Sequence, residues 1–164
     1  MLTTGGWPAC RKGGNQPPMS SGRICSRDVD TAHYDESVLD SARRMRDRQV
    51  GTVIVVDDMK PVGILTDRDL TVRVLAAGLD PQATRVSEVM TPSPTTISED
   101  DSIETAVGYM RAGRFRRLPV VGRDGRVVGI LALDDILELV AEELADIGQL
   151  LKREAPHRWL GRNS

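Results

Sequence analysis

The sequence predicts a mixed α/β (α+β) fold made of two related units that share one core, and three observations predict it. The first is a repeat: Gly63-Ile64-Leu65-Thr66-Asp67-Arg68-Asp69 returns as Gly129-Ile130-Leu131-Ala132-Leu133-Asp134-Asp135, and self-similarity at a fixed period marks a repeated structural unit. The second is register. Val38, Ala42 and Met45 fall on Ile103, Val107 and Met110 at a spacing of 65 residues, which also carries Val53-Ile54-Val55-Val56 onto Leu118-Pro119-Val120-Val121. The third is the alternation, within each copy, of an amphipathic helical pattern with two short apolar runs. The spacing lengthens by one residue before Gly129, because Asp57-Asp58-Met59-Lys60 faces the longer Gly122-Arg123-Asp124-Gly125-Arg126. A polar turn between strands tolerates insertion well. Units of roughly 60 residues are marginal alone, so the two should form a single domain.

Residues 1–22 are rich in Gly, Pro, Ser and Thr without periodicity and read as a flexible lead-in. The first repeat, 23–80, opens with a strand at 27–31. A helix over 37–48 follows, placing Val38, Leu39, Ala42 and Met45 on one face and Arg43, Arg44, Arg46 and Asp47 elsewhere. Residues 52–56 are a β-branched run and 61–65 return after a polar turn, which gives two buried strands. The helix after Thr66 carries Leu70, Val74 and Leu75 and stops at Gly78. Residues 81–85 are a connector. The second repeat, 86–145, begins with a helical turn over 86–90, ended by Thr91-Pro92-Ser93-Pro94, whose prolines force an extended path. A strand at 95–97, a helix over 102–112 and strands at 117–121 and 127–131 complete the copy. In the last helix Leu133, Ile136, Leu137, Val140, Leu144, Ile147, Leu150 and Leu151 keep near-heptad spacing. Residues 146–164 are its end and a tail. A stripe that outlasts the repeat is available to cover either a second subunit or its own domain.

Composition excludes several function classes. A 40% hydrophobic and 28% charged chain is that of a soluble globular protein. No apolar stretch approaches a membrane span and residues 1–21 lack the centre of a signal peptide, so the expected location is cytoplasmic, with no membrane partner. A net charge of −2 offers no general field for nucleic acid, and 3% aromatics offers few stacking platforms. Cys10, Cys25, His33 and His157 are too scattered for a disulfide framework or a metal site. There is no Gly-x-x-x-x-Gly-Lys phosphate loop and no nucleophile beside a base, so no enzyme and no obligatory cofactor are expected.

The chemistry-bearing stretch is the strand-to-helix junction. A helix N-terminus presents free N–H groups and suits an anionic or polyhydroxyl ligand. Thr66 and Asp69 have the spacing of a capping box, which explains both without any ligand. The second copy, however, keeps Asp135 where Ala132 has lost the capping hydroxyl. Arg111, Arg114, Arg116, Arg117, Arg123 and Arg126 form a basic run, ordinarily a solvated face.

The pattern as a whole resembles the tandem cystathionine-beta-synthase (CBS) domain family, the paired regulatory module also called a Bateman module. The resemblance covers residues 24–144 and rests on the two Gly-hydrophobic-x-x-x-x-Asp junctions, the Arg116-Arg117-Leu118-Pro119-Val120-Val121 strand and the Val89-Met90-Thr91-Pro92 lead-in. It implies a β-α-β-β-α unit in each half, packed about a pseudo-two-fold axis with a cleft on either side. It also implies a homodimer that binds an adenosine-containing ligand: AMP, ADP or ATP first, NAD or S-adenosylmethionine behind them. Carried over by position, Asp69 and Asp135 would take ribose hydroxyls, Thr66 would be a hydroxyl contact, and Arg116 and Arg117, with Arg68 beside the junction, would face phosphate. Adjacent residues on a strand point to opposite faces, so only one of Arg116 and Arg117 is expected to enter a given cleft. The sequence departs from the family pattern at Ala132 and at Gly51 and Thr52, which stand opposite Arg116 and Arg117. The expected function is a non-enzymatic sensor that binds an adenine nucleotide and signals to a protein target. The alternative is a structural dimerisation module with vestigial clefts.

Overall fold

The computed structural model describes residues 19–154. The chain enters through one helical turn, α1 (Ser21–Ile24), and then supplies β1 (Thr31–His33), α2 (Val38–Arg48), β2 (Thr52–Asp57), β3 (Lys60–Thr66) and α3 (Asp67–Asp69), which runs on as a π-helical turn, Leu70–Leu75. The second copy supplies α4 (Val86–Val89), β4 (Thr91–Pro92), β5 (Ile97–Ser98), α5 (Ile103–Gly113), β6 (Arg117–Val121), β7 (Val127–Ala132) and α6 (Leu133–Glu154). One sheet has the order β1-β2-β3-β4 and the other β5-β6-β7. In each, a parallel pair is followed by an antiparallel hairpin. The α/β class and the two-unit organisation are therefore those the sequence predicts.

The helices start where local chemistry supplies caps. Ser37 and Ser102 accept hydrogen bonds from the N–H groups of Asp40 and Thr105, at 3.2 and 3.3 Å. Both helices stop at residues in the left-handed region, Gln49 and Arg114, each with φ of 55°. Gly78 also has positive φ, at 68°, as a terminating glycine should.

Each copy lends its lead-in to the other copy's sheet. Val86 and Val89 of α4 join Ala32, Val38, Met45, Val53, Val55, Leu65 and Val74 in one core cluster. Cys25, at the end of α1, joins Ile97, Ala106, Met110, Leu118, Val120, Leu131 and Ile136 in the other. Strand β4 pairs with β3 at Gly63 and Ile64, and Ser26 pairs with Ile130 through two 2.9 Å hydrogen bonds. The repeated glycines follow from this exchange: the Met90 side chain lies where a Cβ at Gly63 would be, and Cys25 where one at Gly129 would be. Burial pushes the Cys25 thiol up, so it is a packing group. A third cluster, Ile54 and Val56 with Val127, joins the two sheets into one core.

Two expectations are corrected. The lead-in assigned to residues 1–22 on composition ends in docked backbone: Ser21 N–H donates to Asp101 O at 2.8 Å and Gly22 N–H to Glu99 O at 3.0 Å, with Ser21 buried. Residues 1–18 of that segment lie outside the described residues, as does the tail beyond residue 154. The strands expected at 27–31 and 95–97 begin later, at Thr31 and Ile97. The preceding residues cross from one sheet to the other, between Ser26 on β7 and Thr31 on β2, and between Pro92 on β3 and Ile97 on β6.

The longer turn of the second copy also has a use. Asp58 and Met59 turn β2 into β3 with φ of 45° and 62°. Across from them Arg126 Nη2 donates to both Asp58 carboxylate oxygens at 3.0 Å, and Val127 N–H donates to Met59 O at 2.8 Å. The added length reaches over to the other unit.

Candidate functional site

At the end of β3 the junction closes as a full capping box. Asp69 N–H donates to Thr66 Oγ1 at 3.2 Å, while Asp69 Oδ2 accepts from Thr66 N–H at 3.0 Å and from the Thr66 hydroxyl at 2.6 Å. This leaves Oδ1, which faces Arg73 Nε at 3.4 Å. Arg73 is itself tied by Nη1 to Val89 O and Met90 O, at 2.7 and 2.9 Å. The helix beyond Asp69 widens into a π-helical turn, with Ala76 N–H donating to Thr71 O at 2.9 Å. That turn buries Val74 and leaves Leu75 exposed. Such turns recur at functional sites.

Thr66 and Asp69 open onto a cleft of about 580 Å³. Its wall comes from both copies: Gly51 and Thr52 at the start of β2, Ile64 and Thr66 to Asp69 from the first junction, Thr91 and Ser93 to Thr95 from the crossing segment, and Arg114 to Arg117 from the α5–β6 loop. Of the sequence-predicted residues, Thr66, Arg68, Asp69, Arg116 and Arg117 are thus brought together. Arg116 and Arg117 both line the cleft, against the expectation that only one could enter. Arg116 precedes the first residue of β6, so strand alternation does not yet govern it.

Asp135 stands elsewhere. Its Oδ2 accepts from Ala132 N–H at 2.8 Å at the equivalent junction, and it lines neither cleft. The second cleft is smaller, about 200 Å³, and is lined by residues 28–30, 49–52, Arg117 and Ile130.

The basic run divides by role. Arg123 pairs with Asp100 at 3.1 Å and Arg126 with Asp58, whereas Arg114, Arg116 and Arg117 line the larger cleft. Among the described residues Arg68, Arg114 and Arg117 form no ion pair, and Arg116 meets only exposed Asp134 at 3.9 Å. Against these four cations the lining holds two carboxylates, Asp67 and Asp69, so an anion is the complementary ligand.

Sequence reasoning missed Arg114 and Phe115 as part of the wall. Phe115, the one phenylalanine of the chain, packs its ring over Gly113, where a Cβ would collide with it. The available signal was an aromatic inside the basic run.

A family model described as the CBS domain matches residues 22–76 and 86–142. An uncharacterized protein of Methanopyrus kandleri is 32% identical over 136 residues, 82% of this chain and 69% of its own length. The CBS domain-containing protein CBSCBSPB3 of Arabidopsis thaliana is 38% identical over 99 residues, 60% of this chain but only 17% of its own length. Among solved structures, Hypoxic Response Protein I with two coordinated zinc ions shares 30% identity at a TM-score of 0.67, covering 73% of this chain and 98% of that one. The CBS domain pair of protein MJ0100, in complex with 5′-methylthioadenosine and S-adenosyl-L-methionine, shares 28% at 0.66, covering 74% and 99%. CBSX2 in complex with AMP shares 25% at 0.64, covering 75% and 96%. Among the described residues no group of three or more His, Cys, Asp or Glu could hold a metal ion, and no helix is long and apolar enough to cross a membrane.

Proposed function

The chain belongs to the CBS domain family, as a tandem pair, and on that premise we propose that it is a non-enzymatic regulatory module binding an adenine nucleotide in the Thr66–Asp69 cleft. The observation that carries this reading is the convergence of four arginines and a capped carboxylate on one cleft wall. Asp69 Oδ1 would accept from the ribose hydroxyls, the Thr66 hydroxyl would stand beside them, and Arg68, Arg114, Arg116 and Arg117 would face phosphate. The base would lie against apolar wall such as Ile64. Structures related to this one hold AMP in one case and S-adenosyl-L-methionine with 5′-methylthioadenosine in another. An excess of arginine favours the phosphate-bearing members, AMP, ADP or ATP, then NAD, over a cationic sulfonium. Signalling would follow from unequal affinity of the ligand for two arrangements of the units, since equal affinity shifts nothing.

The test is thermal unfolding against AMP, ADP, ATP, NAD and S-adenosylmethionine. A ligand at 100 times its Kd adds about 2.7 kcal/mol, which a melting curve resolves. A concentration-dependent rise for a phosphate-bearing compound supports the reading, and no shift for any compound sinks it.

A second reading is favoured by a different observation. Leu137, Val140, Leu144, Ile147 and Leu151 of α6 are each between 47% and 64% exposed, so the domain itself does not cover them. Their alternating spacing of three and four residues is that of a self-complementary helix seam. The occupant that fits it is a second copy of the chain, which makes the module a homodimer whether or not the cleft is filled.

A further inference from the structure

The two clefts occupy equivalent places in the repeat but are not chemically equivalent. Where the larger cleft has Ser93 and Thr95, the smaller has Asp28 and Asp30, and where the larger has Arg114 the smaller has Gln49; Gly51, Thr52 and Arg117 line both, while Arg68 and Arg116 line the larger cleft and not the smaller. Each lining holds two carboxylates, Asp67 and Asp69 or Asp28 and Asp30, but the smaller lacks the three cations Arg68, Arg114 and Arg116. The carboxylates of the smaller are already partnered: Arg48 donates through Nη2 to Asp28 Oδ1 at 2.6 Å and through Nε to Asp30 Oδ1 at 3.0 Å, with Asp30 only 12% exposed. No such tie can form in the larger cleft, because Arg48 corresponds to Gly113 there, the residue beneath the Phe115 ring.

We propose that the chain carries one nucleotide site, the cleft of Thr66 and Asp69, and that the Arg48–Asp28–Asp30 network closes the equivalent cleft to anionic ligands. This rests on the nucleotide reading above. Arg117 stands on the wall common to both clefts and is the single cation lining the smaller one. With Arg48 it balances the two aspartates, so the smaller cleft has no excess positive charge to offer a phosphate. The junction beside it also lacks a hydroxyl at Ala132, and Asp135 does only the work of a cap, accepting the Ala132 N–H. Space agrees with charge: about 200 Å³ falls below the roughly 300–1,000 Å³ of ordinary small-molecule sites.

The experiment is isothermal titration of the full chain with ATP and, separately, with AMP, repeated on Asp69→Asn, Asp135→Asn and Thr66→Val, with melting curves of the unliganded proteins beside them. One site per chain is expected, with affinity lowered on the order of 100-fold in Asp69→Asn, lowered also in Thr66→Val, and unchanged in Asp135→Asn. Two sites per chain would overturn the one-site proposal while leaving the nucleotide reading intact. A single site that follows Asp135 and ignores Asp69 would overturn it as well. No heat with either nucleotide would remove the nucleotide reading and the proposal together. The wild-type stoichiometry does not depend on any variant folding.

Discussion

Replacing Asp69 by alanine separates its two possible duties, because the cap and the ligand contact have different magnitudes and different readouts. In the structure Asp69 Oδ2 takes two hydrogen bonds from Thr66, and Oδ1 sits 3.4 Å from half-exposed Arg73. Losing a capping side chain costs about 1 kcal/mol. The ion pair adds at most a few tenths, since a solvent-accessible partner screens it and Arg73 keeps its bonds to the Val89 and Met90 carbonyls. A loss of about 1 kcal/mol lowers the melting temperature by roughly 2–4 °C in a chain of this size. The ligand term is larger. Two charge-assisted hydrogen bonds to a ribose diol, at about 1.5 kcal/mol each, amount to about 3 kcal/mol, or on the order of 100-fold in Kd.

Asp135→Ala is the internal control. Its carboxylate makes the same backbone cap, to Ala132 N–H at 2.8 Å, so its removal should destabilise the unliganded protein by a similar amount. The assays are calorimetric unfolding of the unliganded variants and titration with ATP. Comparable melting losses, with affinity lost only in Asp69→Ala, are the expected result. If Asp69→Ala binds as tightly as the wild type, the carboxylate is a cap and nothing else, and the reasoning that assigns Oδ1 to ribose fails.

Three further outcomes follow from the geometry. Burial pushes the Glu36 carboxyl up, but hydrogen bonds from Arg44, Ser41 and the His33 N–H outweigh it and hold the group below its ordinary 4.5. That stabilisation is full above the unfolded-chain value and is lost as pH falls through the lower folded one. Glu36→Gln should thus cost about 2 kcal/mol in urea unfolding at neutral pH, with the gap to wild type closing as pH falls below the ordinary 4.5. Gly63→Ala should destabilise by about 1–3 kcal/mol, and Met90→Ala should partly rescue it, because the three nearest atoms all belong to the Met90 side chain. Gly129→Ala should resist rescue by Cys25→Ala, since Ser26 O, a backbone atom 2.9 Å from the new Cβ, remains; denaturant midpoints of the double variants check both. Leu144→Glu or Ile147→Glu should convert a dimer to a monomer in sedimentation without lowering the melting temperature of the monomer, and an unchanged sedimentation coefficient would remove the α6 seam from the assembly.

What was legible in the sequence is what local chemistry decides. The β-branched run at β2, the serine caps of α2 and α5 and the stop at Gly78 are each set by residues within a few positions of one another. The exchange of lead-ins is not local. Val86 and Val89 could serve either sheet as far as hydrophobicity goes; the choice is made by Met90 fitting over Gly63 and Cys25 over Gly129. The same distinction holds in the site. Thr66 and Asp69 declare themselves by spacing, but Arg114 enters the wall because it ends α5 in the left-handed region, a conformation that glycine or asparagine signals and arginine does not.

The exchange also changes what the departures from the repeat mean. Read along the chain, Ala132 is a lapse in the second copy, while Gly51 and Thr52 are lapses in the first, so the two copies look equally degraded. In space the arginine loop of the second copy faces the junction of the first. The stripped loop of the first copy, Gly51 and Thr52, lines both clefts, whereas the junction at Ala132 lines neither. What separates the clefts is therefore the part of each lining that is not shared: Arg68, Arg114 and Arg116 in the larger, and Asp28 and Asp30, tied to Arg48, in the smaller. A cleft with a hydroxyl, a carboxylate and four arginines, beside an equivalent one whose aspartates are tied to Arg48, is the arrangement expected when one of two repeated sites serves a ligand and the other serves stability.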